Sequence, residues 1–278
     1  MKKSESIFWH TNIAERWKIY SSPARPSKGE CQLIQTFISH YKKRPKILIL
    51  GSTPESRDLA HNLRAEVTCV DIGLEMLIGM TELMKHKNMA NQEIWFRSDW
   101  LTMPVAENYY DFVLGDLVVT NLPLALQPTL LAKIKSVLKP GGYFITRDWW
   151  PPVVKSSFAA AIDRISKSGI SKKNINILTW DLLNLSYNYQ KKDATTNEMY
   201  RLVKNMQQKE KDLKKKKWLG VLLKHIVYNY PLGKTWFVKM RPDAEKALKK
   251  YFQIKLIQHG KDNPRADQCP IYFLKKRS

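Results

Sequence analysis

The sequence predicts an α/β fold of the Rossmann-like, doubly wound kind: a seven-stranded sheet with the last strand antiparallel, plus a helical insertion acting as a lid after the fifth strand. Three observations lead there. Short apolar runs alternate with helix-length amphipathic segments between Lys46 and Arg147, the rhythm of right-handed crossovers in a parallel sheet. A glycine turn at Gly51 follows the first run, and the acid Asp71 closes the second, 20 residues later. That spacing brings a helix start and a carboxylate to one ligand crevice. Finally, the last two apolar runs are joined by a polar turn rather than a helix, which inserts the final strand antiparallel.

Each element has a local reason. Before the sheet, residues 1–45 hold Trp9, Trp17 and Tyr20, then an amphipathic run from Cys31 to Tyr41. Ser27 and Glu30 form an S-x-x-E helix start ahead of that run. KILILG at 46–51 is a short buried strand, and Pro54 opens a helix over 54–63. EVTCVD at 66–71 is the second strand, with a helix over 74–85. EIWFR at 93–97 is a third short strand, and YDFVLG at 110–115 a fourth, followed by a helix over 123–138. KPGG turns the chain into a fifth strand at 143–147. The rhythm stops at Trp149-Trp150-Pro151-Pro152, and 149–233 reads as a helical insertion. A helix at 242–250 and strands at 251–258 and 270–276 complete the sheet. The organisation expected is an N-terminal helical cover (1–45), a core (46–148 with 234–278) and a lid (149–233).

The formal net charge of +22 is lopsided. Residues 1–150 carry 19 Lys and Arg against 15 Asp and Glu, a net +4; residues 151–278 carry 28 against 10, a net +18. The densest stretch is KEKDLKKKKW at 209–218. Such an excess attracts a polyanion or an anionic surface, or simply solvates a helix face. It is mostly lysine, and no aromatic or glycine-rich nucleic-acid motif interleaves with it. No apolar run nears the roughly 20 residues of a membrane helix, and MKKSESIFWH lacks the apolar block of a secretion signal. Cys31, Cys69 and Cys269 are odd in number and without metal-ligand spacing. A reduced, cytoplasmic, metal-free protein is the expectation.

Four candidate ligand-binding features fall at the ends of successive strands. Gly51 permits a tight bend, and Ser52 or Thr53 can cap the following helix, whose free amides attract an anion. Asp71, with its neighbour Ile72, can accept from both hydroxyls of a ribose. Asp99 in FRSDWLTMP can accept from an adenine amino group while Trp100 packs on the ring. Asp116 in GDLVVTNLP ends the fourth strand toward the same crevice. A dinucleotide would need glycines at the second and third fingerprint positions, where Thr53 and Ser56 stand.

Taken together, ILILGSTPE, EVTCVD, FRSDWLTMP, YYDFVLGDL and VLKPGGYFITR resemble the motifs of class I S-adenosylmethionine-dependent methyltransferases, over about 46–147 and the last two strands. The resemblance implies that fold, S-adenosyl-L-methionine as cofactor, and cofactor contacts from Gly51, Asp71, Asp99 and Asp116. It departs from the family in the glycine-poor first motif.

Methyl transfer is an in-line displacement that positioning promotes, with a base where the acceptor must lose a proton. Asp148, His225 and His10 are the candidate bases. Tyr20 and Arg25, in the segment expected to cover the pocket, are candidates for the methionine carboxylate. The aromatic insertion favours a small organic or peptide substrate methylated on O or N. The alternatives are an RNA or other polyanion, read by the basic half, and a non-catalytic methyltransferase-like binder.

Overall fold

The computed structural model describes residues 13–153, 171–230 and 232–277, with Ala159, Ile162 and Asp163 between the first two. Helices α1 (Ile13–Ile19) and α2 (Lys28–Tyr41) precede β1 (Lys46–Leu50), α3 (Pro54–Asn62), β2 (Glu66–Asp71) and α4 (Leu74–Thr81). Then come β3 (Ile94–Arg97), β4 (Tyr110–Asp116), α5 (Gln127–Val137) and β5 (Leu138–Arg147). The insertion contributes α6 (Lys172–Ser186), β6 (Asp193–Thr195), α7 (Thr196–Lys209) and α8 (Leu213–Asn229), and the pairing of β6 carries it past the expected residue 233 to β7 (Thr235–Phe237). The chain closes with α9 (Arg241–Lys249), β8 (Phe252–Gln258) and β9 (Ile271–Lys276).

The seven-stranded sheet has the order β3-β2-β1-β4-β5-β9-β8. β9 pairs antiparallel with both β5 and β8, and the pairings from β3 to β5 are parallel. The seven strands and the antiparallel last one are therefore as the sequence predicts.

Period-two alternation builds a core on each face. Leu48, Leu50, Val113 and Phe144 pack with α5 and Leu248 of α9. Their neighbours Ile47, Ile49, Phe112 and Ile145 pack with Ile38 of α2 and Leu59 of α3. A third cluster lies within the insertion around Leu182, Val203, Leu222 and Ile226. A fourth joins Trp17 and Tyr20 to Met76 and Met80 of α4.

The structure refines several expected boundaries. The capping box forms as read, Ser27 Oγ accepting from the Glu30 amide at 3.1 Å and Glu30 accepting from the Ser27 amide at 2.7 Å. The helix it starts lies on the sheet, with Ile38 packed against Ile47 and Ile49. α4 stops at Thr81, and a 3₁₀ turn at Lys87–Gln92 follows. α5 begins at Gln127 instead of 123, with Pro128 in its first turn. KPGG turns the chain within β5: the register jumps from Leu138 against Tyr110 to Tyr143 against Phe112, so residues 139–142 bulge out, with Gly141 at φ +79°. The insertion is not wholly helical, because β6 and β7 pair antiparallel.

Candidate active site

The C-terminal ends of β1, β2 and β4 open into a cavity of about 220 Å³. Gly51 sits at its base with φ +93°, a conformation that strains any residue with a Cβ. Its amide donates to the Val70 carbonyl at 2.8 Å. A Cβ placed there would lie 3.8 Å from the Trp100 ring and 3.9 Å from Asp71 Oδ2. The turn thus leaves an open cradle between an aromatic ring and a carboxylate. Trp100 is fixed by its indole N–H donating to the Val70 carbonyl at 2.8 Å. Thr53 is the N-cap of α3, without a side-chain bond to the helix, and Pro54 fills the first turn.

Asp71 is buried; its Oδ1 accepts from the Gly73 amide at 3.0 Å and its Oδ2 from Ser52 Oγ at 3.4 Å. Asp99 Oδ1 accepts from the Leu101 amide at 2.9 Å. Gly51, Ser52, Thr53, Asp71, Ile72, Asp99, Trp100 and Asp116 all border the cavity, as does Tyr20. The strand-end acids thus meet in one place. Asp116 arrives already neutralised: Arg147 Nε donates to Oδ1 at 2.7 Å and Nη2 to Oδ2 at 3.1 Å. Arg147 is fully buried, where desolvation opposes its charge, but Asp116 and Glu30 together hold it above the ordinary arginine value. Its Nη1 also donates to the carbonyls of Pro23, at 2.8 Å, and Arg25. That arrangement ties the N-terminal cover to the end of β5.

The remaining candidates lie elsewhere. Arg25 does not border the cavity; it pairs with Glu55 in the first turn of α3 and lies over the Trp17 ring. Burial raises the Glu55 carboxyl despite Arg25. Asp148 lines a separate small cavity with Gln127, Lys239 and Leu248. Burial pushes its carboxyl up to about 6, against the pull of the Trp149 amide and Lys239. His225 lies on α8 outside the cavity lining, bonded through Nδ1 to Asn229 Nδ2 at 3.0 Å, and burial lowers it to about 4. His10 lies outside the described residues.

Of the upper wall, the sequence pointed to Trp149 and Trp180 of the aromatic insertion and to the cover segment, but not to Met199, Tyr230 or Trp236. From the insertion come Trp149, Trp180, Met199, Tyr230 and Trp236; from the cover, Trp17 and Ala24. Tyr20 donates its hydroxyl to the Asn229 carbonyl at 2.7 Å and stacks on Tyr230 at 5.5 Å between centroids. Burial raises both phenols well above their ordinary value. Leu117 borders the same space with φ +55°, and backbone strain of this kind concentrates at functional sites. Two further aromatics of the insertion stay out of the cavity: Trp150 stacks edge-on with Tyr272, and Tyr187 donates to the Val238 carbonyl. Among the described residues no group of His, Cys, Asp and Glu is placed to hold a metal ion, and no helix is long and apolar enough to cross a membrane.

A doubly wound sheet whose chain-terminal strand is antiparallel, with a buried acid in the cavity at its strand ends, is the architecture of a ligand-binding α/β domain. Residues 50–146 match the methyltransferase domain family. The match covers about a third of the chain, and together with the fold it indicates an S-adenosylmethionine-dependent methyltransferase. No curated protein matches the whole sequence as a relative. Among solved structures, a Rhodobacter sphaeroides protein provisionally assigned as a zinc-dependent alcohol dehydrogenase is 14% identical, with full coverage of both chains and a TM-score of 0.63. The Synechocystis magnesium protoporphyrin IX methyltransferase, with bound S-adenosylhomocysteine, is 14% identical over 99% of this chain and 100% of its own, TM-score 0.55. The Burkholderia thailandensis 1,6-didemethyltoxoflavin N1-methyltransferase, with substrate and S-adenosylhomocysteine bound, is 11% identical over 99% and 87%, TM-score 0.53. At such identities the likeness is one of fold.

Proposed function

We propose that the protein methylates an O or N atom of a small, largely apolar organic molecule. The observation that carries this reading is the continuity of the cavity: the strand-end residues and the insertion's Trp149, Trp180 and Trp236 line one space. The cradle at Gly51 fits the adenosyl cofactor. In this reading Asp71 takes the ribose hydroxyls, and Asp99 with Trp100 takes the adenine. Gly51, Ser52 and Thr53 form the base beside it, with Ile72 flanking the ribose end, and Tyr20 closes the far side. When bound, S-adenosylmethionine supplies a methyl group on a sulfonium, already activated for displacement.

The chain's own residues orient and desolvate. The aromatic wall excludes water and aligns a flat or apolar acceptor, which places reacting atoms at high effective concentration. Neither Asp148 nor His225 borders the cavity, and Asp116 is paired with Arg147. The reading therefore gives these three no proton to take, and it favours acceptors that carry a free lone pair at neutral pH. Arg25 acts through Glu55 on the start of α3 and not on the cofactor.

Titration calorimetry with S-adenosylhomocysteine tests the cofactor half, with binding expected. Incubation with methyl-labelled S-adenosylmethionine and fractionated small-molecule extract tests the substrate half, with label expected in the organic-soluble fraction. Label found only in nucleic acid would overturn the small-molecule reading.

A further inference from the structure

We propose that the outward face of α8, with the turn after it, docks on an anionic lipid surface. Helix α8 buries Trp218, Leu219, Leu222 and Ile226 against the insertion core. With 3.6 residues per turn, the opposite stripe then carries Leu213, Lys217, Lys224, Val227 and Tyr228. Lys214 and Lys216 flank it. The structure bears this out: the four lysines are exposed. Leu213 is 82% exposed, Val227 49%, Tyr228 52%, and Leu232 just beyond the helix 48%.

No carboxylate among the described residues pairs with Lys214, Lys216, Lys217 or Lys224, whereas Lys215 is held by Asp163 at 2.6 Å. The acids of the preceding turn are occupied by amides. Glu210 accepts from the Asp212 amide at 2.9 Å, and Asp212 accepts from Lys214 and Lys215 at 2.8 and 3.1 Å. Those two acids keep their charge, but six lysines stand against them in 209–218 and Lys224 lies further along, so the field above the face is net positive over a helix about 25 Å long.

A surface of lysines interspersed with exposed apolar and tyrosine side chains matches an anionic interface on two counts. The ammonium groups meet lipid phosphates and carboxylates, and the apolar tips enter the headgroup region. A nucleic acid uses the lysines alone and gains nothing from Leu213, Val227 and Leu232. Continuity with the cavity adds to the case. Tyr230 and Lys234 line it, and the exposed Leu232 lies between them in the chain. Docking therefore brings the lipid surface to the cavity's margin.

The test is co-sedimentation of the full chain with vesicles of phosphatidylcholine alone, and of phosphatidylcholine mixed with phosphatidylserine. Binding is expected to the mixed vesicles only, weakening as salt is raised. Charge reversal at Lys216, Lys217 and Lys224 is expected to lower the affinity at least tenfold, at roughly fivefold per surface lysine. Val227→Ser with Tyr228→Ser, which leaves the charge intact, is expected to weaken it severalfold as well. All five side chains are outside the cavity, so S-adenosylhomocysteine binding by the variants reports intact folding. Absent binding, equal binding to both vesicles, or indifference to the Val227/Tyr228 change would overturn the proposal. So would displacement of vesicles by a short RNA held more tightly by the same lysines, or a salt-insensitive dimer dissolved by the same substitutions.

Discussion

Replacing Asp71 by Asn separates the fold's use of this residue from the cofactor's. The carboxylate has a structural duty, accepting from the Gly73 amide at 3.0 Å through Oδ1. An asparagine carbonyl keeps that bond, and its amide can donate to Ser52 Oγ, which now gives a weak 3.4 Å bond to Oδ2. The fold should therefore lose under about 1 kcal/mol. For the ribose the change is larger. Hydrogen bonds to a charged acceptor contribute about 1.5–3 kcal/mol each, against about 0.5–1.5 for neutral ones. Two such bonds weakened by about 1 kcal/mol apiece correspond to a roughly 30-fold rise in Kd. Calorimetry with S-adenosylhomocysteine reads the affinity, and a melting curve of the free protein reads the fold. A Kd within twofold of the parent, with melting unchanged, would refute the placement of the ribose at Asp71.

Gly51→Ala is expected to cost about 1–2 kcal/mol through its positive φ, lowering Tm by a few degrees. It should also weaken S-adenosylhomocysteine binding, because the methyl group enters the cradle; melting with and without ligand checks both. Arg147→Met strands the buried carboxylates of Asp116 and Glu30, and a loss of about 3–5 kcal/mol in urea unfolding is expected. Asp148 is expected to govern part of the pH dependence. Its folded form holds a proton up to about pH 6 against an ordinary value of 3.8, so its contribution to stability is full below the lower value and lost as pH rises through the higher. Asp148→Asn should therefore stabilise the protein near neutrality, by roughly 2–3 kcal/mol at most, and leave melting near pH 3.5 unchanged. His225 runs the other way: its folded value of about 4 lies below the ordinary 6.5. Its contribution is present above 6.5 and fades as pH falls through 4, so His225→Gln should flatten the acid limb of the melting profile.

The strands were legible because each is a short buried run whose alternate residues serve opposite faces, so both period and length point one way. The strand-end acids were legible for the same reason, since a sheet of known order brings its strand ends together. The partner of Asp116 was harder. Arg147 lies 31 residues away, yet the parallel register of β4 and β5 sets the two side by side. Strand register, taken one step further, would have paired them. The neighbouring Asp148 then faces the α5–α9 side, which removes it from the cavity on alternation alone. The aromatic wall was legible only in part: the sequence marks an aromatic insertion as the substrate cover but not which of its rings meet. Trp149, Trp180, Tyr230 and Trp236 come from separate elements, and their meeting depends on how the insertion's own core packs.

The glycine-poor turn that departs from the family pattern now has a physical explanation. Only Gly51 of the GSTP stretch takes a positive φ, so only one position requires glycine for backbone reasons. Thr53, at φ −51°, and Pro54 after it hold the start of α3 in conformations ordinary residues adopt. Further glycines at such a turn serve close approach of the backbone to a pyrophosphate, and an adenosyl cofactor has none to accommodate. What it needs beside the turn is an open face bounded by an aromatic ring and a carboxylate, and Trp100 and Asp71 supply these at 3.8 and 3.9 Å from the missing Cβ. Buried Ser52 adds a hydroxyl to Asp71 that a glycine would lack. The substitutions in this motif thus trade backbone approach for side-chain support of the acid. On that argument Ser52→Gly, which restores a more glycine-rich motif, should weaken cofactor binding by about threefold, the worth of one modest hydrogen bond, instead of strengthening it.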